Sequence, residues 1–249
     1  HFVLSAMPPH TAPRLIAFGD VHGCLLALEK LLEAIAPQPH DTLVFLGDLI
    51  DCGRDSAAVI DLLLRLRDSC HVVLILGNHE EMLLAARDSE PALRGWENCG
   101  GVRTLNSYRF GGSLRDIPAE HWALLEQMVP VHETEDFVFT HASYQPDLAF
   151  DQQPEHQLRW ALFDPAELRP HQSGKCVVVG HTESAAHEVL DLGFAICLDT
   201  GCHRDGWLTA CEMTERRYWQ ASRWGMLRES GETSVSNLKL QTVVPSTHS

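Results

Sequence analysis

The chain's 249 residues suffice for one large domain with its own core, or for two small ones, and 45% hydrophobic with 21% charged residues is ordinary for a globular protein. A formal net charge of −15, with no run of basic residues, argues against a nucleic-acid surface, which needs clustered Lys and Arg. No apolar run reaches the roughly 18 residues of a membrane helix, so no membrane partner is expected.

Residues 1–13 start at His1 and read as an N-terminal extension or cloning remnant, with Met7 as a native start. From there one pattern recurs: a short apolar run of strand length ends abruptly in Gly, Asp, Asn or His. Leu15–Phe18 leads into Gly19-Asp20-Val21-His22-Gly23, Leu43–Leu46 into Gly47-Asp48, and Val72–Leu76 into Gly77-Asn78-His79-Glu80. Phe137–Phe139 leads into Thr140-His141, Val177–Val179 into Gly180-His181, and Ile196–Leu198 into Asp199-Thr200-Gly201. Continuous β-branched runs of this kind predict strands buried on both faces. Helical spacing separates the early ones: Leu28, Leu31, Leu32 and Ile35 before Pro37, then Val59 to Leu66, then a helix starting at Glu80. The stretch Gly95 to Gly112 reads as a functional loop or cap, and Pro118 to Val129 returns to a helix. Residues 14–228 are expected to form the functional domain, with 229–249 a polar tail that is disordered or ends in a strand at Val243-Val244. Alternation of strand and helix predicts an α/β fold, in which ligands collect beyond the carboxyl ends of the strands. The polar strand ends therefore predict one shared site.

The eight cysteines, at 24, 52, 70, 99, 176, 197, 202 and 211, form no C-x-x-C pair, which excludes a zinc knuckle. Free thiols and a cytoplasmic location are expected. The chemistry sits instead in Asp20, His22, Asp48, Asn78, His141 and His181. Carboxylate, amide and imidazole donors without thiolate suit manganese or iron, with zinc as an alternative. The count allows two divalent ions: Asp20, His22 and Asp48 on one, and Asp48, Asn78, His141 and His181 on the other, with Asp48 bridging. Two such ions roughly 3.5–4 Å apart clamp a phosphoryl group and acidify a water for in-line attack. His79 is placed to protonate the leaving group, with Asp51 holding its other nitrogen. Among the remaining histidines His203 stands out, and Cys52 reads as a small filler rather than a nucleophile.

These motifs resemble those of the calcineurin-like metallophosphoesterases, and within them the bacterial serine/threonine protein phosphatases. Gly19–Gly23, Gly47–Asp51, Gly77–Glu80, Thr140–Ala142, Gly180–Thr182, Gly100–Leu105 with Ser107-Tyr108, and Leu198–Gly201 carry the likeness over residues 14 to 212. The resemblance implies an α/β/β/α sandwich of two mixed sheets flanked by helices, with a dinuclear metal site at the strand ends. It also implies two phosphate-gripping arginines, and here the chain departs. Cys52 in Asp51-Cys52-Gly53 and Leu162 in Trp160-Ala161-Leu162 occupy those places, leaving Arg54 and Arg159 as neighbouring substitutes. The resulting expectation is a metal-dependent phosphomonoester hydrolase acting on phosphoserine, phosphothreonine or phosphotyrosine in a phosphoprotein or small phosphorylated substrate. Glu80 favours that reading over the alternative, a dinucleoside polyphosphate (diadenosine tetraphosphate) hydrolase. A rival of another class is a non-catalytic metal-binding regulatory module.

Overall fold

A computed structural model describes residues 12–228, so the expected tail at 229–249, its Val243-Val244 strand and most of the 1–13 extension lie outside the described residues. The first half of the chain runs β1 (Leu15–Phe18), α1 (Leu25–Ile35), β2 (Thr42–Phe45), α2 (Ser56–Arg67), β3 (His71–Leu74), α3 (Asn78–Ala86), α4 (Glu90–Trp96), α5 (Val102–Tyr108) and α6 (Ala119–Glu126). The second half runs β4 (Val131–Glu133), β5 (Phe137–Thr140), α7 (Glu155–Arg159), β6 (Cys176–Val179), β7 (Leu190–Asp191), β8 (Ala195–Cys197), β9 (Asp199–Thr200), β10 (Trp207–Glu212) and β11 (Arg217–Ser222).

Two mixed sheets result. The first has the order β11-β10-β1-β2-β3, with β9 on β10, and the second β4-β5-β6-β8-β7. In the first, β1, β2 and β3 are parallel and in level register, Phe18 opposite Phe45 and Phe45 opposite Leu74. In the second, β5, β6 and β8 are parallel, Phe139 opposite Val178 and Val178 opposite Ile196. Level register brings the carboxyl ends of these strands to one rim, and the polar residues that follow them emerge there.

The hydrophobic core explains the layering. Ala17, Val44 and Ile75 from the first sheet meet Phe139, Val178 and Ile196 from the second, which closes the sheets face to face. Ile16, Phe18, Leu43 and Phe45 point the other way, against α1 and α2, with Phe18 and Phe45 stacked at 4.5 Å between centroids. Helix α1 buries Ala27, Leu28, Leu31 and Ile35 on one stripe and stops at Ala36, whose left-handed backbone (φ 46°) lets its N–H bond the Leu32 carbonyl. Over the outer face of the second sheet the cover is thinner: Tyr144, Phe150 and Phe163, from loops and single turns around α7, pack on Val138, Val177 and Val179. The architecture is the α/β/β/α sandwich that the resemblance implies. Among the described residues, no helix is long and apolar enough to cross a membrane.

One expectation is corrected. The Gly95–Gly112 stretch is mostly helical rather than a loop: α4 passes through a π-type turn at Glu97–Gly101 into α5. Gly100 takes φ 113° at the bend, which only glycine adopts without strain, so the glycines mark a kink within a helix pair. The terminal hairpin β10–β11, which pairs with β1 through β10, has no counterpart among the sequence expectations.

At the opposite end from the rim, Asp41 ties β1 to β2. Its buried carboxylate accepts the Arg14 and Gln38 backbone N–H groups at 2.9 and 2.8 Å and the Arg14 guanidinium at 2.6 and 3.1 Å. Burial raises the Asp41 pKa, but the hydrogen bonds from Arg14 and Gln38 outweigh it and hold it below the ordinary value. A group depressed in this way stabilises the fold above its unfolded pKa, and that contribution is lost as pH falls through the folded value. Asp41→Asn should therefore cost about 1.5–3 kcal/mol at pH 7, with the deficit shrinking in acid; urea unfolding of both proteins across that range would show it. An unchanged gap at low pH would contradict the assignment.

Candidate metal centre

Each candidate ligand sits just past a strand. Asp20 and His22 follow β1, Asp48 follows β2, Asn78 opens α3 after β3, and His141 and His181 follow β5 and β6. The connecting turns are tight. His22, Asp48, Asp51, Cys52 and His181 all have positive φ, between 45° and 69°, a conformation that L-residues avoid and that concentrates at functional sites. A Cβ at Gly180 would lie 2.0 Å from Asp20 Oδ1, so any larger residue there must displace that carboxylate.

The residues gather in two overlapping triads. Asp20, His22 and Asp48 present donor atoms within 4.8 Å of one another, and so do Asp48, His141 and His181. Asn78 faces the second triad, its Oδ1 2.9 Å from His141 Nε2 and 3.1 Å from His181 Nδ1. The far nitrogens are already engaged. His22 Nδ1 lies 3.0 Å from the Ile50 carbonyl, His141 Nδ1 2.7 Å from the Leu46 carbonyl, and His181 Nε2 3.2 Å from the Trp160 carbonyl. A carbonyl only accepts, so each of these nitrogens carries the ring proton and the other nitrogen points a lone pair inward. Backing of this kind orients ligating imidazoles.

The electrostatics fit a cationic guest. Burial lowers His22 and His181 to about 4 and depresses His141, so all three rings are neutral donors. Burial, then Asp199 and Asp48, raise Asp20 well above the carboxylate range. Burial, then Asp48, push Glu80 up to about 8, and burial lifts Asp199 to about 7. Burial also acts against ionised Asp48, yet His141, His79, His22 and His181 hold it below its ordinary value. Converging lone pairs among crowded carboxylates are the environment that a divalent cation relieves. Asp20, His22, Asp48, Asn78, His141 and His181 could hold two such ions.

His79 stands apart. Its Nδ1 lies 2.7 Å from Asp51 Oδ2, and its Nε2 faces the triads, 3.9 Å from Asp48 Oδ2. Burial disfavours its charge, but Asp48 and then the hydrogen bond and charge of Asp51 raise it to about 9. Asp51 is itself braced. It accepts from Trp96 Nε1 at 2.8 Å and Thr104 Oγ1 at 2.6 Å, and its backbone N–H reaches Thr104 and Ser56. Trp96 and Thr104 come from the α4–α5 pair, so the sequence reading missed them as site residues. The signal available was Gly100–Leu105, which a loop reading left without contacts.

Arg159 lies buried in an ion pair with Glu81 at 2.7 Å and Glu155 at 2.8 Å, and Arg54 is exposed. Leu162 is 42% exposed and Cys52 is half-buried. Burial, then Asp51 and Asp48, push the Cys52 thiol up to about 12, which disfavours a nucleophilic thiolate. All eight cysteines are free. His203 lies edge-on to His22, centroids 4.6 Å apart, and burial with His22 and Arg204 beside it lowers it to about 2.

Glu80 underpins the centre without facing it. Its carboxylate accepts the backbone N–H groups of Asp48, Leu49, Ile50 and Gly77 at 2.8–3.3 Å, fixing the turn that aims Asp48. Glu80→Gln turns an amide group toward those donors and should weaken manganese affinity about 10- to 100-fold, as read by titration calorimetry; unaltered affinity would remove Glu80 from this role.

A sequence profile described as calcineurin-like phosphoesterase matches residues 13–205. A protein from Xylella fastidiosa (strain 9a5c) named symmetrical bis(5′-nucleosyl)-tetraphosphatase is 35% identical over 137 residues, 52% of this chain and 42% of that one. One of the same name from Pseudomonas putida (strain GB-1) is 28% identical over 162 residues, 64% of this chain and 52% of that one. The chain thus spans about half the length of these relatives or less. A crystal structure named as a candidate diadenosine tetraphosphatase superposes with a TM-score of 0.65 at 26% identity, over 86% of this chain and 95% of that one. A cold-active protein tyrosine phosphatase shares the fold, with a TM-score of 0.59 at 19% identity over 86% of this chain and 78% of that one. With the profile covering most of its length and the sandwich and rim in place, this chain belongs to the calcineurin-like phosphoesterase family.

Proposed function

We propose that the chain is a metal-dependent hydrolase that splits a dinucleoside polyphosphate, with His79 as general acid. The observation that carries the chemistry is the Asp51-anchored His79, whose Nε2 faces the converged donor set. The substrate class rests on the relatives named symmetrical bis(5′-nucleosyl)-tetraphosphatase. This reverses the order of the two sequence readings. Glu80, the residue that favoured a protein phosphatase, spends its carboxylate on four backbone N–H groups and offers no basis for choosing a substrate.

Bound divalent ions supply Lewis acidity, drawing charge from phosphoryl oxygens and bringing the pKa of water from about 15.7 toward about 7. The protein's part is positional. Asp20, His22, Asp48, Asn78, His141 and His181 are the residues assigned to hold the ions. Asp48 and Asp51 keep the His79 ring charged and Asp51 aims it through Nδ1, while Trp96 and Thr104 stop Asp51 from turning away. The proton then sits on His79 Nε2, toward the leaving oxygen. A departing nucleoside diphosphate is a weak base, comparable to a phosphate of pKa about 6, and needs that proton less than a serine alkoxide does.

The test compares manganese-loaded protein on diadenosine tetraphosphate with phosphoserine, phosphothreonine and phosphotyrosine peptides. ADP as the sole nucleotide product is expected. Phosphate released from the peptides, with the dinucleotide untouched, would restore the phosphatase reading. Metal uptake without turnover of any substrate would point to the regulatory module instead. His79→Asn should lower turnover about 100-fold on the dinucleotide, at the low end of the general-acid range, with metal content unchanged. Supplying the fork absent at position 52 through Cys52→Arg should lower KM in steady-state assays; an unchanged KM would mean that phosphate is gripped elsewhere.

A further inference from the structure

Cys52 occupies the place where the resemblance expects a phosphate-binding arginine, and its thiol faces the site. Its Sγ and one ring nitrogen each of His22 and His79 lie within 4.8 Å of one another. In both rings Nδ1 is committed, to the Ile50 carbonyl at 3.0 Å and to Asp51 at 2.7 Å. Nε2 is therefore the nitrogen left to bind in each, and the two rings meet edge to face with centroids 4.9 Å apart. A carbonyl behind one imidazole and a carboxylate behind the other is the backing that ligating histidines use. The backbone that carries the thiol is closely packed. Asp51 and Cys52 both adopt left-handed backbone, φ 69° and 57°, packed against Gly100, where an added Cβ would come within 3.0 Å of the Cys52 nitrogen.

We propose that His22, Cys52 and His79 form an alternative site for one soft divalent ion such as zinc or cadmium, sharing His22 with the Asp20–His22–Asp48 triad. The two triads differ in chemistry. Asp20 and Asp48 offer hard carboxylate oxygens, which suit manganese. Cys52 with two imidazoles offers the sulfur and nitrogen donors that zinc prefers, with a fourth tetrahedral position left for water. His22 has one free nitrogen, so an ion on the thiol side competes with the ion on the oxygen side. On binding, the ion displaces the Cys52 thiol proton and any proton on His79 Nε2, and both leave to the buffer. That ion also occupies the nitrogen from which His79 donates, so it inhibits hydrolysis. The site itself is independent of the proposed reaction; the inhibition rests on it.

Cadmium titrated into the manganese-loaded protein tests both parts. Thiolate coordination gives an ultraviolet sulfur-to-cadmium absorption band, which should saturate at one ion per chain in the parent and in Cys70→Ser, a control at the far end of the strands. Cys52→Ser should lack the band, as should Cys52→Ala, made as a second variant; circular dichroism and Tm show that each is folded. A parent without the band, or a folded Cys52 variant that keeps it, overturns the site, whether or not any substrate is turned over. Dinucleotide hydrolysis should fall about tenfold or more at the saturating cadmium concentration, with substantial relief in Cys52→Ser. A saturated band with undiminished turnover overturns the inhibition.

Discussion

Everything at the rim follows from burying carboxylates together. Asp20, Asp48, Asp51, Glu80 and Asp199 are each at most 5% exposed, and the His79 ring supplies countercharge to Asp48 and Asp51. Isolated charges in such a place cost several kcal/mol each, so every one must be hydrogen-bonded, neutralised or given a cation. Each carboxylate meets that demand in its own way. Glu80 takes four backbone amides, Asp51 takes indole, hydroxyl and imidazole, and Asp20 takes the His181 amide. Asp48 has four imidazoles around it. The left-handed turns at His22, Asp48, Asp51, Cys52 and His181 are what it takes to aim these groups from strands in level register.

The α4–α5 pair is the second consequence. Holding a charged His79 requires a fixed carboxylate, and a carboxylate on a turn would rotate unless something gripped both oxygens. Trp96 and Thr104 do so, one on each oxygen, and the Gly100 bend brings them over the turn. The same bend packs Gly100 against Cys52 and leaves the thiol facing His22 and His79. The short Cys52 side chain leaves its thiol within reach of both rings.

Much of this was legible from the sequence, and for a definite reason. Strand-length apolar runs ending in Gly-Asp, Gly-Asn-His or Gly-His encode both a buried parallel strand and the donor that follows it, all within a few residues. Local spacing therefore located β1, β2, β3, β5, β6 and β8 and the residues beyond them. The Gly95–Gly112 stretch was misread because glycine and polar content signals a loop, whereas a glycine kink inside a helix looks the same in composition. Glu80 carried the choice of substrate class in the sequence, yet its carboxylate turns onto backbone amides, a direction that a residue's identity does not give.

By itself, then, the sequence determined the α/β alternation, the rim at the strand ends and which polar side chains stand there, since these depend on neighbours a few positions apart. Only the tertiary structure decided the rest. It placed Trp96 and Thr104 on Asp51 across separations of 45 and 53 residues, turned Glu80 inward onto backbone amides, and locked Arg159 between Glu81 and Glu155. It also set the Cys52 thiol beside two imidazoles. Those contacts join segments far apart in the chain, and their geometry comes from the packing of two sheets and a kinked helix pair, which no local pattern encodes.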